Sequence, residues 1–73
     1  MKKEIELNLG VYSMDNIYKG IIDFSQVCSI YAEKNGNKMV CNFDCNDRDY
    51  IEIKDEFCNY VLALCNRGKI KNG

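Results

Sequence analysis

The chain contains no histidine, no proline and no tryptophan. Without histidine, every zinc pattern that uses an imidazole is excluded. General-base work would fall to carboxylates, cysteine, tyrosine or lysine, and no pair of these stands visibly placed for it. With no proline and only scattered glycines, the chain offers no linker and no low-complexity segment. A glycine-rich phosphate loop is missing too. No apolar run approaches the ~20 residues that cross a bilayer. The opening MKKEIELNLG sets acids inside its first apolar stretch, so it does not read as a signal peptide. Nor is there an excess of one charge. Ten basic and eleven acidic residues are interspersed for a net charge of −1, which leaves no electrostatic case for nucleic acid. The five tyrosines, lacking a basic surface, do not make a base-stacking platform. These exclusions point to a cytoplasmic protein whose thiols stay reduced.

What is present suits one small globular domain spanning residues 1–73. The hydrophobic share of 47% argues against disorder. A chain this short buries only about 60% of its unfolded surface, so its stability is expected to be marginal.

Glu4 to Leu9 alternate strictly, with Ile5, Leu7 and Leu9 on one face and Glu4, Glu6 and Asn8 on the other. That is a half-buried strand. Ser13 is a natural N-cap and Asp15 adds favourable charge to the first turn. Met14, Ile17, Tyr18, Ile21 and Phe24 then recur at helical spacing, predicting a helix from 14 to about 26. Gly20 inside it either lets the helix approach the sheet closely or is a tolerated surface glycine.

Residues 27–34 and 37–45 read as two strands joined by Asn35-Gly36, a strong hairpin signal. A two-residue loop there sets Ile30 opposite Cys41, Ala32 opposite Met39 and Cys28 opposite Phe43 on an apolar face. The other face pairs Glu33 with Lys38, Tyr31 with Val40 and Ser29 with Asn42. The last element begins near Asp49, which with Glu52 resembles a capping box. Ile53, Phe57, Tyr60, Val61 and Leu64 form a helical stripe, Gly68 is the expected stop, and residues 69–73 are an expected disordered tail. A short strand over residues 50–53 is the alternative start.

The order is β-α-β-β-α, an α+β fold. The expected architecture is a three-stranded sheet with both helices on one face, a half-ferredoxin-like split β-α-β. The favoured order sets the third strand in the middle, antiparallel to both neighbours, which leaves the first two strands as edges. The alternative sets the second strand centrally, parallel to the first, and the alternation of the first strand does not decide between them.

The five cysteines raise the question of a metal or redox site. Cys41 and Cys45 share a face of an extended strand but lie roughly 13 Å apart along it. Cys58 and Cys65 are about two helical turns apart, roughly 10 Å. Neither pair can share one zinc, whose thiolates sit at about 2.3 Å. Free cysteines of this kind are usually small apolar core residues, and no metal or other cofactor is expected. Cys45 ends a strand beside a polar loop and is the least core-like of them. The segment Asp44-Cys45-Asn46-Asp47-Arg48-Asp49 faintly resembles a calcium loop. It lacks the mid-loop glycine and has Asp55 where the closing glutamate belongs, so a helix cap on a solvated loop accounts for it better.

Over residues 5–67 the pattern also resembles the HxsD-like proteins of the His-Xaa-Ser peptide-modification systems. The matching stretches are Tyr12-Ser13 leading to Ile17, the hairpin, Glu56-Phe57-Cys58-Asn59, Leu62 and Arg67. Gly20, where that family tends to alanine, and the many cysteines depart from it. The resemblance implies a small accessory protein working beside radical-SAM maturases of a ribosomal peptide, and it supplies no catalytic residues.

The resulting expectation is a non-catalytic binding protein whose partner is a protein or a precursor peptide, the maturase included. Neither nucleic acid nor membrane is expected as a partner. Two routes are open: the free edge of the first strand, with Glu4, Glu6 and Asn8, which is favoured because that strand is long enough to template a peptide, or the wet sheet face carrying Tyr31 and Val40. The alternatives are a cysteine-based redox or metal-binding protein and a structural homodimer that covers its own sheet. A chain this small is expected to have little room for a pocket of ~300 Å³.

Overall fold

The computed structural model describes residues 1–70, with side chains placed through residue 67. Five elements follow in order: β1 (Glu4–Asn8), α1 (Met14–Asp23), β2 (Ser29–Asn35), β3 (Lys38–Asp44) and α2 (Asp47–Ile70). The sheet order is β1-β3-β2, and both pairings are antiparallel. This is the expected α+β fold with the third strand central. The core lies between one sheet face and the two helices. It is built from Leu7, Ile30, Met39, Cys41 and Phe43 of the sheet, Ile17 of α1, and Tyr50, Ile53, Phe57 and Val61 of α2.

Local chemistry explains the helix starts. The Ser13 hydroxyl accepts from the Asn16 amide and caps α1. For α2 the cap is Asn46, whose side chain accepts from the Asp49 amide at 2.8 Å. Asp47 and Asp49 therefore fall in the first turn, where their charge is favourable. The expected cap at Asp49 is thus displaced by three residues, and the alternative strand over 50–53 is helix. The far end differs as well. The backbone stays helical past Gly68 to Ile70, since a glycine costs only ~1 kcal/mol within a helix. Of the expected tail, 69–70 are helical and 71–73 lie outside the described residues.

α1 is shorter than expected, ending at Asp23 with Phe24 as its cap. Tyr18 lies outward at 44% exposure, while Ile17 is fully buried. Gly20 is buried and makes a close approach, but to α2 instead of the sheet. A Cβ placed there would stand 2.9 Å from Val61 and 3.1 Å from Phe57.

The hairpin register is a correction. Ile30 pairs with Phe43, Tyr31 with Asn42, Ala32 with Cys41 and Glu33 with Val40. The closing pair is Asn35 with Lys38, so the two turn residues are Gly36-Asn37. A turn on Asn35-Gly36 needs positive φ at both residues. The turn instead uses one positive φ, +65° at Gly36, and among the described residues no non-glycine residue takes one. Glycine first in the turn is the alternative hairpin solution, and it spares asparagine the left-handed region. The shift is two residues, so every side chain keeps its face. Only the partners change. Lys38 forms its ion pair with Glu6 of β1, Nζ to Oε1 at 3.3 Å, and Glu33 faces Val40.

Candidate binding site at the sheet edges

Antiparallel pairs alternate between hydrogen-bonded and open positions. The Leu9 amide donates to the Asn37 carbonyl, and the Phe43 amide to the Lys3 carbonyl. Lys3, Ile5, Leu7 and Leu9 therefore bond to β3. Glu4, Glu6 and Asn8 direct their backbone groups outward. By the same alternation, Ser29, Tyr31, Glu33 and Asn35 bond to β3, and Ile30, Ala32 and Lys34 point their N–H and C=O groups outward along the other edge.

The two edges are not equivalent. On β1 the Asn8 carbonyl accepts from the amides of Val11 and Tyr12, both at 2.9 Å. At the other end the Tyr50 hydroxyl of α2 reaches the Glu4 carbonyl at 3.4 Å. Lys3 ties this corner down through an ion pair to Asp47 at 3.2 Å. Glu6 alone keeps both outward groups clear of these contacts. The edge favoured from sequence is thus shorter than its alternation suggested. β2 spans seven residues, Ser29–Asn35, and among the described residues no hydrogen bond engages the outward backbone groups of Ile30, Ala32 and Lys34.

Between the edges lies the open sheet face. Its rows run Glu4–Asn42–Tyr31, Glu6–Val40–Glu33 and Asn8–Lys38–Asn35. Tyr31 and Val40 share this face as expected, but as diagonal neighbours. Val40 is half-buried between two glutamates, and Tyr31 is 62% exposed beside the β2 edge. All five residues singled out from sequence (Glu4, Glu6, Asn8, Tyr31 and Val40) therefore belong to one face, whose carboxylates outnumber its lysine.

The cysteines sit mainly inward. Cys28 and Cys41 are buried, and Cys45, Cys58 and Cys65 are half-buried. Burial, followed by the neighbouring Cys58, pushes the Cys41 thiol up to about 11. Burial likewise raises Cys58, with Asp55 adding to it. These thiols are held protonated, as small apolar groups. The Cys65 sulfur accepts from the Ser13 amide at 3.3 Å and from the Asn16 side chain at 3.5 Å, helping to seat the start of α1. Among the described residues no three metal-ligating side chains come together. Replacing Cys41 with serine is expected to cost about 1–3 kcal/mol in urea denaturation, because a hydroxyl enters a site fully closed to water. Alanine or valine should be milder, and a chelator should change nothing. Stoichiometric metal in the native protein would refute this.

One feature escaped the sequence. An open groove of about 320 Å³ lies between Val27 and the start of α2, lined by Asp49, Glu52, Ile53 and Glu56. The expectation concerned interior room, and this groove is open to solvent, with Val27 of the turn after α1 exposed along it. The groove's polar lining residues, Asp49, Glu52 and Glu56, are all acidic. No described helix is long and apolar enough to cross a membrane. No family model, curated protein or solved structure matches the chain.

Proposed function

We propose that this chain is a small non-catalytic binding protein that takes an extended peptide segment as a fourth strand of its sheet. The observation that carries this is the free edge of β2, with Ile30, Ala32 and Lys34 presenting outward backbone donors and acceptors. Main-chain hydrogen bonds supply affinity in such pairing, and side chains beside the edge supply selectivity. Tyr31 stands next to that edge on the open face, and its ring offers a contact to a side chain of the added strand. The setting that the sequence resemblance implies is a cytoplasmic one beside a radical-SAM maturase. The partner is then the precursor peptide or the maturase itself.

Titration against a radical-SAM maturase and a precursor peptide of such a modification system tests the reading. Lys34→Pro removes one outward amide at an exposed position, where an edge strand tolerates proline. It is expected to weaken binding at least tenfold while circular dichroism stays unchanged. Asn8→Pro, on the β1 edge, should leave binding intact, and Tyr31→Ala should weaken it only a fewfold. Loss with Asn8→Pro alone would move the site to β1. Loss with Tyr31→Ala alone would move it to the sheet face. A concentration-dependent dimer in sedimentation that Lys34→Pro abolishes would make the occupant a second copy. No binding and no dimer would remove the proposal.

A further inference from the structure

The corrected hairpin register brings two cysteines together. The last ladder pair is Ser29 with Asp44; continued one step past the strand ends, the same register would set Cys28 opposite Cys45, and the two thiols are neighbours. Ser29 and Asp44 form a hydrogen-bonded pair, so the next position is an open one. Open pairs hold their Cα atoms about 4.5 Å apart, with side chains closest to each other. A disulfide accepts Cα separations of roughly 4.4–6.8 Å. Both thiols lie on the core face. Cys28 is buried, Cys45 is half-buried against the core, and each is the other's neighbour. The remaining thiols are elsewhere: Cys41 is roughly 13 Å further along β3, and Cys58 and Cys65 are on α2.

We propose that Cys28 and Cys45 form a dithiol site that undergoes two-electron oxidation to a disulfide, with a small-molecule disulfide such as oxidised glutathione as the oxidant. Cys45, the more accessible of the two, reacts first. Its thiolate attacks one sulfur of the oxidant, breaks the S–S bond and expels one glutathione thiolate. The Cys28 thiol, held protonated by burial, gives its proton to the glutathione thiolate released first, attacks the Cys45 sulfur of the mixed disulfide and expels the second. The protein loses two electrons and two protons, and the oxidant leaves as two thiols. The new bond closes a loop around the whole hairpin and pins the start of β2, at one end of its free edge, to the end of β3.

The test uses the full chain, incubated with oxidised glutathione, quenched with iodoacetamide and digested for mass spectrometry. The expected product is an intramolecular link between the peptides carrying Cys28 and Cys45, reversed by dithiothreitol, with Cys41, Cys58 and Cys65 recovered as alkylated thiols. Cys28→Ala should leave a persistent glutathione adduct at Cys45. Cys45→Ala should leave Cys28 unreacted. A wild-type adduct at Cys45 that never resolves, a link to any other cysteine, or no reaction at all would overturn the proposal. The oxidised protein should also melt higher, by an amount on the order of 10 °C, because the cross-link restricts the unfolded chain.

Discussion

Replacing Phe57 with alanine is expected to leave the chain largely unfolded at room temperature. Phe57 is fully buried at the middle of α2. Its ring meets Phe24 edge-on at 5.5 Å between centroids and Phe43 edge-on at 5.6 Å. Phe43 in turn contacts Tyr50 at 5.3 Å, and Phe24 contacts Tyr60 at 5.6 Å. Phe57 therefore joins α1, β3 and α2 through one side chain. Removing a buried phenylalanine ring costs about 3–5 kcal/mol, partly as lost transfer energy and partly as cavity. A core in a chain of this length rarely supplies more than about 3–5 kcal/mol in total. The two quantities are comparable, so no stability is left over. Urea denaturation followed by circular dichroism reads the effect directly. Phe57→Leu keeps much of the apolar volume and should stay folded with a lower midpoint. If Phe57→Ala keeps a cooperative transition with a loss below about 1.5 kcal/mol, then Phe24 and Phe43 collapse into the gap and the three-element junction is not what holds the fold.

The outline of this core could be read from the chain because its signals are local and redundant. The alternation of Ile5, Leu7 and Leu9 and the stripe of Ile53, Phe57, Val61 and Leu64 each repeat one preference several times. One misread residue does not change the element. Single-residue signals fared worse. Asn35-Gly36 and Gly36-Asn37 are both acceptable hairpin turns, and the difference between them is the left-handed strain on one asparagine. The apolar pattern could not arbitrate, since a two-residue shift leaves both faces intact. The apparent Glu33–Lys38 pair supported the wrong register, although Lys38 had an equally good carboxylate in Glu6 on the other neighbour. That error hid the Cys28–Cys45 pairing, which follows only from the correct register. Helix ends were misplaced for a related reason. Asn46 and Asp49 both suit a cap, and the backbone bonds to the cap decide between them. As for the candidate site, the residues of the open face were visible as the polar half of each strand. The unequal freedom of the two edges was not, because the Asn8 and Glu4 carbonyls are engaged by groups from a turn and from a helix remote in sequence.

Gly20→Leu is the other substitution expected to disrupt the fold, and Gly20→Ala shows why. At an ordinary helix position alanine is better than glycine by about 1 kcal/mol. Here the added Cβ would stand 2.9 Å from Val61 Cγ2 and 3.1 Å from Phe57 Cε1. Both neighbours are fully buried. The Val61 side chain is stiff about χ1 in a helix, and the Phe57 ring is held edge-on by two others. Neither can swing away into water, so the helices must separate. Overpacking of this kind costs about 1–3 kcal/mol for a methylene-sized excess. It outweighs the propensity gain, and Gly20→Ala should lose about 1 kcal/mol where an exposed glycine would gain. Leucine adds three further carbons at the same point and should exceed 3 kcal/mol, enough to undock α1. The decisive measurement is a double-mutant cycle with Val61→Ala. If the clash with Val61 is the cause, Gly20→Ala should cost clearly less in the Val61→Ala background, with a coupling of at least about 0.5 kcal/mol. Additive effects would place the strain on Phe57 instead. A more stable Gly20→Ala protein would mean that the contact of α1 with α2 yields easily, and that glycine is not required where the two helices cross.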